Sequence, residues 1–271
     1  MPNEVDVDQA PTSWRESGTG PVALFLHGLG GSRVSWRPQF ETLTPDRHLF
    51  AWDAPGYGMS EPISKPTFDS YAERAAALID VISPRGPVDL VGMSFGGMIA
   101  QYVAACYPGK VRSLTLLCTS PKFGLDGTDP ESWQAARLNG LRDSGSPAAA
   151  APFILASLAG PSGGHVVPEA VAAMARIPMA GLLDAIETII THDTREILPT
   201  IYAPTLVLVG GQDTETPTAY GQAIVDLMTS SDPSHQPRRA ELRIIDGAGH
   251  LLNLEAPDQV NAAIHDHWSS S

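Results

Sequence analysis

Residues Val88–Pro108 read VDLVGMSFGGMIAQYVAACYP: a short apolar run, a tight Gly-Met-Ser-Phe-Gly-Gly turn, then a long apolar stretch with helical spacing. Runs this short and this continuously apolar suit strands covered on both faces. One hydroxyl, Ser94, stands at the bend with a glycine two residues to either side. A serine on so sharp a strand-to-helix turn projects its Oγ away from the backbone, and the small residues Gly92 and Gly96 keep neighbouring chain clear of it. The helix that opens after it adds a partial positive charge and free N–H groups near the place where an anion would develop. The five-residue pattern alone arises by chance in many chains. The strand before it and the helix after it are what make Ser94 a candidate nucleophile.

A serine hydroxyl is inert at neutral pH unless a base takes its proton, and the base needs an acid to orient it. Asp213 follows the strand-like run TLVLVGGQD, and His250 follows LRIIDGAGH. Each of the three stands just beyond the C-terminal end of a predicted strand, so all can converge on one edge of a sheet. An oxyanion formed there needs two donors. The backbone N–H of Phe95 is one, and the N–H of Leu29 in His27-Gly28-Leu29-Gly30 is the best second candidate.

Other titratable residues are read differently. His27, in FLHGLGG, shapes the loop that carries Leu29. His165, His192 and His235 lie in a helical cap or in loops and are expected to be solvated. His265 and His267 point to different sides of a helix, so no metal site is expected. Asp53, in WDAPGYGMSE, braces a turn, Asp246 is a loop carboxylate, and the strand ending LTLLCTS supplies no rival acid. The glycines after His27 lack the G-x-G-x-x-G spacing and the acidic partner of a dinucleotide site.

Further strand-like runs are Val22–Leu26, His48–Trp52, Ser113–Leu117, Thr205–Val209 and Leu242–Ile245; helices are predicted at Tyr71–Ile82, Met98–Tyr107, Thr218–Met228 and Asp258–Trp268. Alternation of this kind means an α/β fold with a mostly parallel sheet and helices on both faces. From Lys122 to Leu198 no strand is convincing. Helix starts follow instead at Asp129-Pro130, Ser146-Pro147 and Ile177-Pro178, the first two joining an N-cap residue to a proline at the first helical position. The expected organisation is a core of residues 1–121 and 199–271 with a helical cap at 122–198, docked where open α/β sheets keep their ligands.

With 271 residues, 43% of them hydrophobic, the chain can fill a large core. Its net charge of −13 argues against nucleic acid or an anionic membrane as partner, and any anionic substrate would need a local arginine. The start, MPNEVDVDQAPTSW, is acidic and lacks the apolar core of a signal peptide, and no run approaches a membrane span. Cys106 and Cys118 read as small buried hydrophobes, which makes a reducing, cytoplasmic setting the default. The ends and the polar stretch Ser230 to Arg239 are expected to be loosely structured. Nothing in the chain sets an oligomeric state.

Five segments together, HGLGG, DAPGYGMS, GMSFGG, GGQDTETP and GAGHLLNLEAP, make the chain similar to the α/β-hydrolase superfamily over nearly its whole length, with the order Ser, Asp, His of that superfamily. The resemblance implies an α/β-hydrolase fold with an eight-stranded, mostly parallel sheet, a helical cap and no cofactor. Within it the chain looks most like 3-oxoadipate enol-lactonases, through GGMIAQYVAACYPGKVRSLTLLCTS, GTDPESWQAARLNGLRDSG and HLLNLEAPDQVNAAI. The serine at position 94 sets it apart from relatives that use aspartate there, and Met93 and Leu251 depart from the meta-cleavage product hydrolases. The expected activity is hydrolysis of a small carboxylic ester or lactone by Ser94, His250 and Asp213. A C–C bond hydrolase with the same triad and a non-catalytic small-ligand receptor stand as alternatives. Leu29, Trp36, Phe95, Trp133 and Leu251 are expected to line the pocket, with core packing as the competing role for both tryptophans; Met98 and Met174 are expected to pack. Arg33, Arg137, Arg142 and Arg176 are the candidates for a substrate carboxylate.

Overall fold

The structure, a computed structural model, describes residues 4–229 and 239–270. The polar stretch at 230–238, His235 with it, lies outside them. In chain order the elements are β1 (Val5–Val7), β2 (Trp14–Gly18), β3 (Val22–Leu26), α1 (Arg37–Leu43), β4 (His48–Trp52), α2 (Phe68–Ile82), β5 (Val88–Met93), α3 (Phe95–Cys106) and β6 (Val111–Leu117). Four helices follow without an intervening strand: α4 (Pro130–Ser144), α5 (Pro147–Leu158), α6 (Val167–Met174) and α7 (Met179–Ile189). The chain then returns to β7 (Thr205–Gly210), α8 (Thr218–Thr229), β8 (Ala240–Ile245), α9 (Leu252–Glu255) and α10 (Pro257–Ser269).

The strands form one eight-stranded sheet in the order β1-β2-β4-β3-β5-β6-β7-β8. β1 and β2 pair antiparallel and β2 runs antiparallel to β4, whereas every pairing from β4 to β8 is parallel. Every residue of β5 and β7 is buried, which is why both read as largely apolar runs, with Asp89 the one charged residue in β5. In β3 the two-residue period sorts side chains between two cores. Leu24 and Leu26 join the layer under α2, α3 and α8, while Ala23 and Phe25 join the layer under α1 and α10 with Phe40, Leu43, Ile264 and Trp268. At roughly 1.5–3 kcal/mol for each large apolar side chain buried, these two layers hold the sheet rigid below its C-terminal edge.

The insertion between β6 and β7 has the helix starts its sequence announces. The Asp129 carboxylate accepts from the Ser132 N–H at 2.8 Å, the Ser146 hydroxyl accepts from the Ala149 N–H at 3.2 Å, and Pro130 and Pro147 open the helices. The insertion closes onto the core through several contacts. The Arg37 guanidinium pairs with Glu169 at 2.6 Å, and the His250 N–H donates to the Leu158 carbonyl at 2.9 Å. Gly160 and Gly249 meet so closely that a side chain on Gly249 would run into the Gly160 backbone.

Two expectations change. Cys118 is buried but Cys106 is exposed on α3. His192 is not solvated: it is 2% exposed, its Nε2 lies 2.8 Å from the Ser120 carbonyl oxygen, and it packs against the rings of Phe68 and Tyr102. Burial pushes its pKa down to about 4, so it stays neutral. Among the described residues no single helix is long and apolar enough to cross a membrane.

Candidate active site

Ser94 sits between β5 and α3 with φ 52 and ψ −118, a conformation that side chains other than glycine rarely adopt. Such a residue carries about 1–3 kcal/mol of strain that its surroundings must hold in place. Here the Ser94 N–H donates to the Leu117 carbonyl at 2.8 Å, and its carbonyl accepts from the Met98 N–H and the Thr119 hydroxyl, both at 2.9 Å. A side chain on Gly96 would run into the Leu26 carbonyl, so the turn can close only on glycine. As the first residue of α3, Phe95 carries an N–H with no acceptor inside the helix.

The loops after β7 and β8 bring Asp213 and His250 to the same place. His250 Nε2 lies 3.0 Å from Ser94 Oγ, and Nδ1 lies 2.8 Å from Asp213 Oδ2. Asp213 is itself fully engaged. Its Oδ1 accepts from the N–H groups of Glu215 and Thr216, both at 2.9 Å, and its Oδ2 also accepts from the Thr216 hydroxyl at 2.7 Å. An acceptor-only carboxylate facing Nδ1 fixes the proton there and leaves the Nε2 lone pair for Ser94. Burial works against the Asp213 anion, but the His250 imidazole and the bonds from His250 and Thr216 outweigh it and hold the carboxyl below its usual range. Burial likewise opposes the His250 cation, yet the facing charge and hydrogen bond of Asp213 win and raise its pKa above the ordinary 6.5.

Cys118, Asp213 and His250 bring donor atoms within 4.8 Å of one another. Burial pushes the Cys118 thiol well up, so it keeps its proton, and the other two donors are turned on each other; the set is unsuited to a metal ion.

The loop after β3 is held from beneath. The Ala54 N–H donates to His27 Nε2 at 3.0 Å, so Nδ1 carries the proton and donates to the Gly28 carbonyl at 2.9 Å. Burial lowers the His27 pKa and keeps the ring neutral. The Tyr57 hydroxyl ties down the Leu29 carbonyl at 2.9 Å. Gly28 lies against Ser94: a Cβ there would stand 3.3 Å from Ser94 Cβ. The Asp53 carboxylate accepts from the Arg33 N–H at 2.9 Å and from the Ser13 hydroxyl at 3.2 Å, so it ties the loop after β3 to the chain before β2.

Above Ser94 lies a cavity of about 120 Å³ with mostly apolar walls. Leu29, Trp36, Trp133 and Leu251 line it; Trp36 is also fully buried against Phe25, so it serves wall and core at once. Phe95 does not line it, because its ring packs into the core against Phe68 and Tyr71. Met174 does, together with Leu155, Leu182 and Ile186 from α5 and α7. Of the four candidate arginines only Arg137 reaches the cavity. Arg33 is buried against Asp8 and Asp53, and Arg142 and Arg176 are exposed outside it. A second, more polar hollow of about 230 Å³ also borders Ser94 and His250, with Met98, Ser120, Asp126 and Tyr220 in its walls.

Two residues escaped sequence reasoning. Thr216 completes the Asp213 cradle, and the local signal was an acid followed three residues later by threonine in DTET. The Glu255 carboxylate accepts from the N–H groups of Gly160 and Gly249 at 2.9 Å and of Leu251 at 3.0 Å. It grips both neighbours of His250 and the insertion together. A lone acid inside the apolar run HLLNLEAP was its only trace.

A family model described as the alpha/beta hydrolase family matches residues 23–263. Among curated proteins the chain is 27% identical over 258 residues to polyketide synthase ThaQ of Burkholderia thailandensis, covering 91% of this chain but 12% of the synthase. It is 29% identical to the pimeloyl-[acyl-carrier protein] methyl ester esterase of Chromobacterium violaceum, over 77% of this chain and 82% of the esterase. It is 23% identical to 3-oxoadipate enol-lactonase 1 of Acinetobacter baylyi, over 88% of this chain and 85% of the lactonase. Among solved structures, a thermophilic esterase from Thermogutta terrifontis with malate bound superposes with a TM-score of 0.79 at 25% identity, over 99% of this chain and 98% of that one. Sheet order, serine turn and family match converge, and the chain belongs to the alpha/beta hydrolase family.

Proposed function

We propose that the protein is a serine hydrolase of small carboxylic esters or lactones, working through an acyl-enzyme on Ser94. The observation that carries this is the unbroken line of contacts from Ser94 Oγ through both nitrogens of His250 to Asp213, at 3.0 and 2.8 Å, beside an apolar cavity. The esterase and lactonase relatives agree with it.

His250 takes the Ser94 proton through Nε2 as Oγ attacks the ester carbonyl. The oxyanion rests on the N–H groups of Phe95 and Leu29. His250 then hands the proton to the leaving oxygen, and water repeats the cycle to release the acid. Asp213 holds the imidazole tautomer and steadies its cation, and Thr216 holds Asp213. Helices α5–α7 act as a cap over the acyl group. A cavity of this order takes a group about the size of benzene, so the acyl chain is short.

The test is a panel of an aryl acetate, an aryl butyrate, an enol-lactone and a vinylogous diketone acid, with fluorophosphonate labelling in parallel. Turnover of the esters or lactone with label on Ser94 is expected. Exclusive turnover of the diketone, or an unlabelled Ser94, would overturn the assignment.

A further inference from the structure

Among the described residues that line the cavity and the hollow beside it, Arg137 is the one lysine or arginine, and it lines both. A cation at the meeting point of two ligand spaces is what a carboxylate-bearing substrate would require. Yet this guanidinium is already engaged. Its Nη2 donates to Glu215 Oε1 at 2.8 Å, and its Cζ lies over the Trp133 ring, 5.2 Å from the centroid. Trp133 is steadied in turn by Phe123, with ring centroids 5.1 Å apart. Both members of the pair are only partly exposed, at 25% and 33% of their side chains, so water screens them less than it would a surface pair.

Glu215 is placed firmly. Its own N–H is bound by Asp213 Oδ1, so its backbone belongs to the loop that carries the acid of the triad, whereas Arg137 comes from α4 of the insertion. The pair therefore joins core to insertion in the shared wall of the two spaces. The charges facing a ligand sum to zero in the apolar cavity, and Asp126 tips the second hollow to net negative. An incoming carboxylate would have to displace Glu215 before it could reach Arg137, against the field of a chain of net charge −13.

We infer that Glu215 is a specificity-determining residue: by occupying Arg137 it turns away esters with a free carboxylate on the acyl chain and restricts the site to uncharged acyl groups. This rests on the proposed ester hydrolysis at Ser94. It also separates this chain's substrate class from that of a lactonase acting on a dicarboxylate-derived ring.

The experiment compares 4-nitrophenyl butyrate with 4-nitrophenyl hydrogen succinate, in which the terminal methyl of the acyl chain is replaced by a carboxylate. Values of kcat/KM are taken for the whole chain after subtracting the enzyme-free rate. Wild type is expected to favour the butyrate by about ten-fold or more. Glu215→Gln should move that ratio about ten-fold toward the succinate, because Arg137 is set free. Adding Arg137→Met to Glu215→Gln should abolish the shift. The ratio cancels any general effect on His250, which a purely structural role would move equally for both esters. A ratio unchanged in Glu215→Gln, or a wild type that prefers the succinate, overturns the inference while leaving ester hydrolysis standing. Wild type that hydrolyses neither ester overturns the reading on which it rests, and the inference with it.

Discussion

The floor and the roof of the site are built by opposite means. The floor is polar and over-determined: Asp213 accepts four hydrogen bonds, Ser94 is pinned at a strained φ of 52 by three, and the Gly28 and Leu29 carbonyls are tied by His27 and Tyr57. The roof, from α5 to α7, presents Leu155, Met174, Leu182 and Ile186 to the cavity, apolar side chains that offer no directional bonds. A hydrogen-bonded floor admits one arrangement, since a buried polar group left unpaired costs about 1–3 kcal/mol. An apolar wall can exchange one side chain for another of similar volume at little cost. On this account chemistry resides in the floor and substrate choice in the roof.

The largest effects should come from the floor. Ser94→Ala is expected to lower kcat by roughly 10³ to 10⁶-fold with the thermal unfolding temperature little changed. Asp213→Asn should cost about 10⁴-fold through the wrong imidazole tautomer. Its pH profile sharpens the claim. His250 works as a base only when neutral, and Asp213 raises its pKa, so the acid limb of kcat/KM should lie above 6.5 in the wild type, with activity lost as pH falls through it. Replacing Asp213 removes the stabilising charge and should move that limb down. A limb that stays in place would mean another group titrates.

At the seam between floor and roof the effects should be intermediate. Glu255→Ala strands three N–H groups around His250 and Gly160, and about 2–3 kcal/mol of lost stability is expected, a fall in Tm of roughly 4–10 °C. A loss in kcat should accompany it, because Gly249 and Leu251 flank His250, the proposed base. Unchanged kcat with a lowered Tm would make Glu255 a purely structural clamp. The smallest effect belongs to the roof: Met174→Ala enlarges the cavity and should shift preference toward longer acyl chains by a few-fold, with turnover of an aryl acetate nearly unchanged. A large loss on the acetate would erase the contrast between the two regions.

The floor was far more legible in the chain than the roof. Ser94 and Asp213 each follow a strand whose residues are all buried, and such runs stand out from any background; His250 follows the partly exposed edge strand β8 and was read from the segment LRIIDGAGH and the order of the three residues. The sheet's antiparallel edge was not visible, because Val5–Val7 and Trp14–Gly18 are short and half-exposed and carry Asp6, Arg15 and Glu16 among few apolar residues. The family resemblance alone supplied the count of eight. α1 was hidden by its shortness and by Pro38. Tertiary packing decided the rest. His192 sits in the polar string THDTRE, and only the folded chain shows Phe68 and Tyr102 closing over it. Phe95 was assigned two roles from one position, but a helix directs its side chain into the core while its N–H stays at the turn. Among four arginines the sequence could not choose, since reaching the cavity depends on how α4 docks.

The central claim is that Ser94 becomes acylated during turnover. Rapid quenching with an aryl butyrate, followed by intact-mass and peptide analysis, measures this directly. A protein heavier by one butyryl group is expected, with the mass mapped to the peptide containing Ser94 and absent from Ser94→Ala. Steady turnover with no adduct at that serine, or an adduct at another residue, would contradict it.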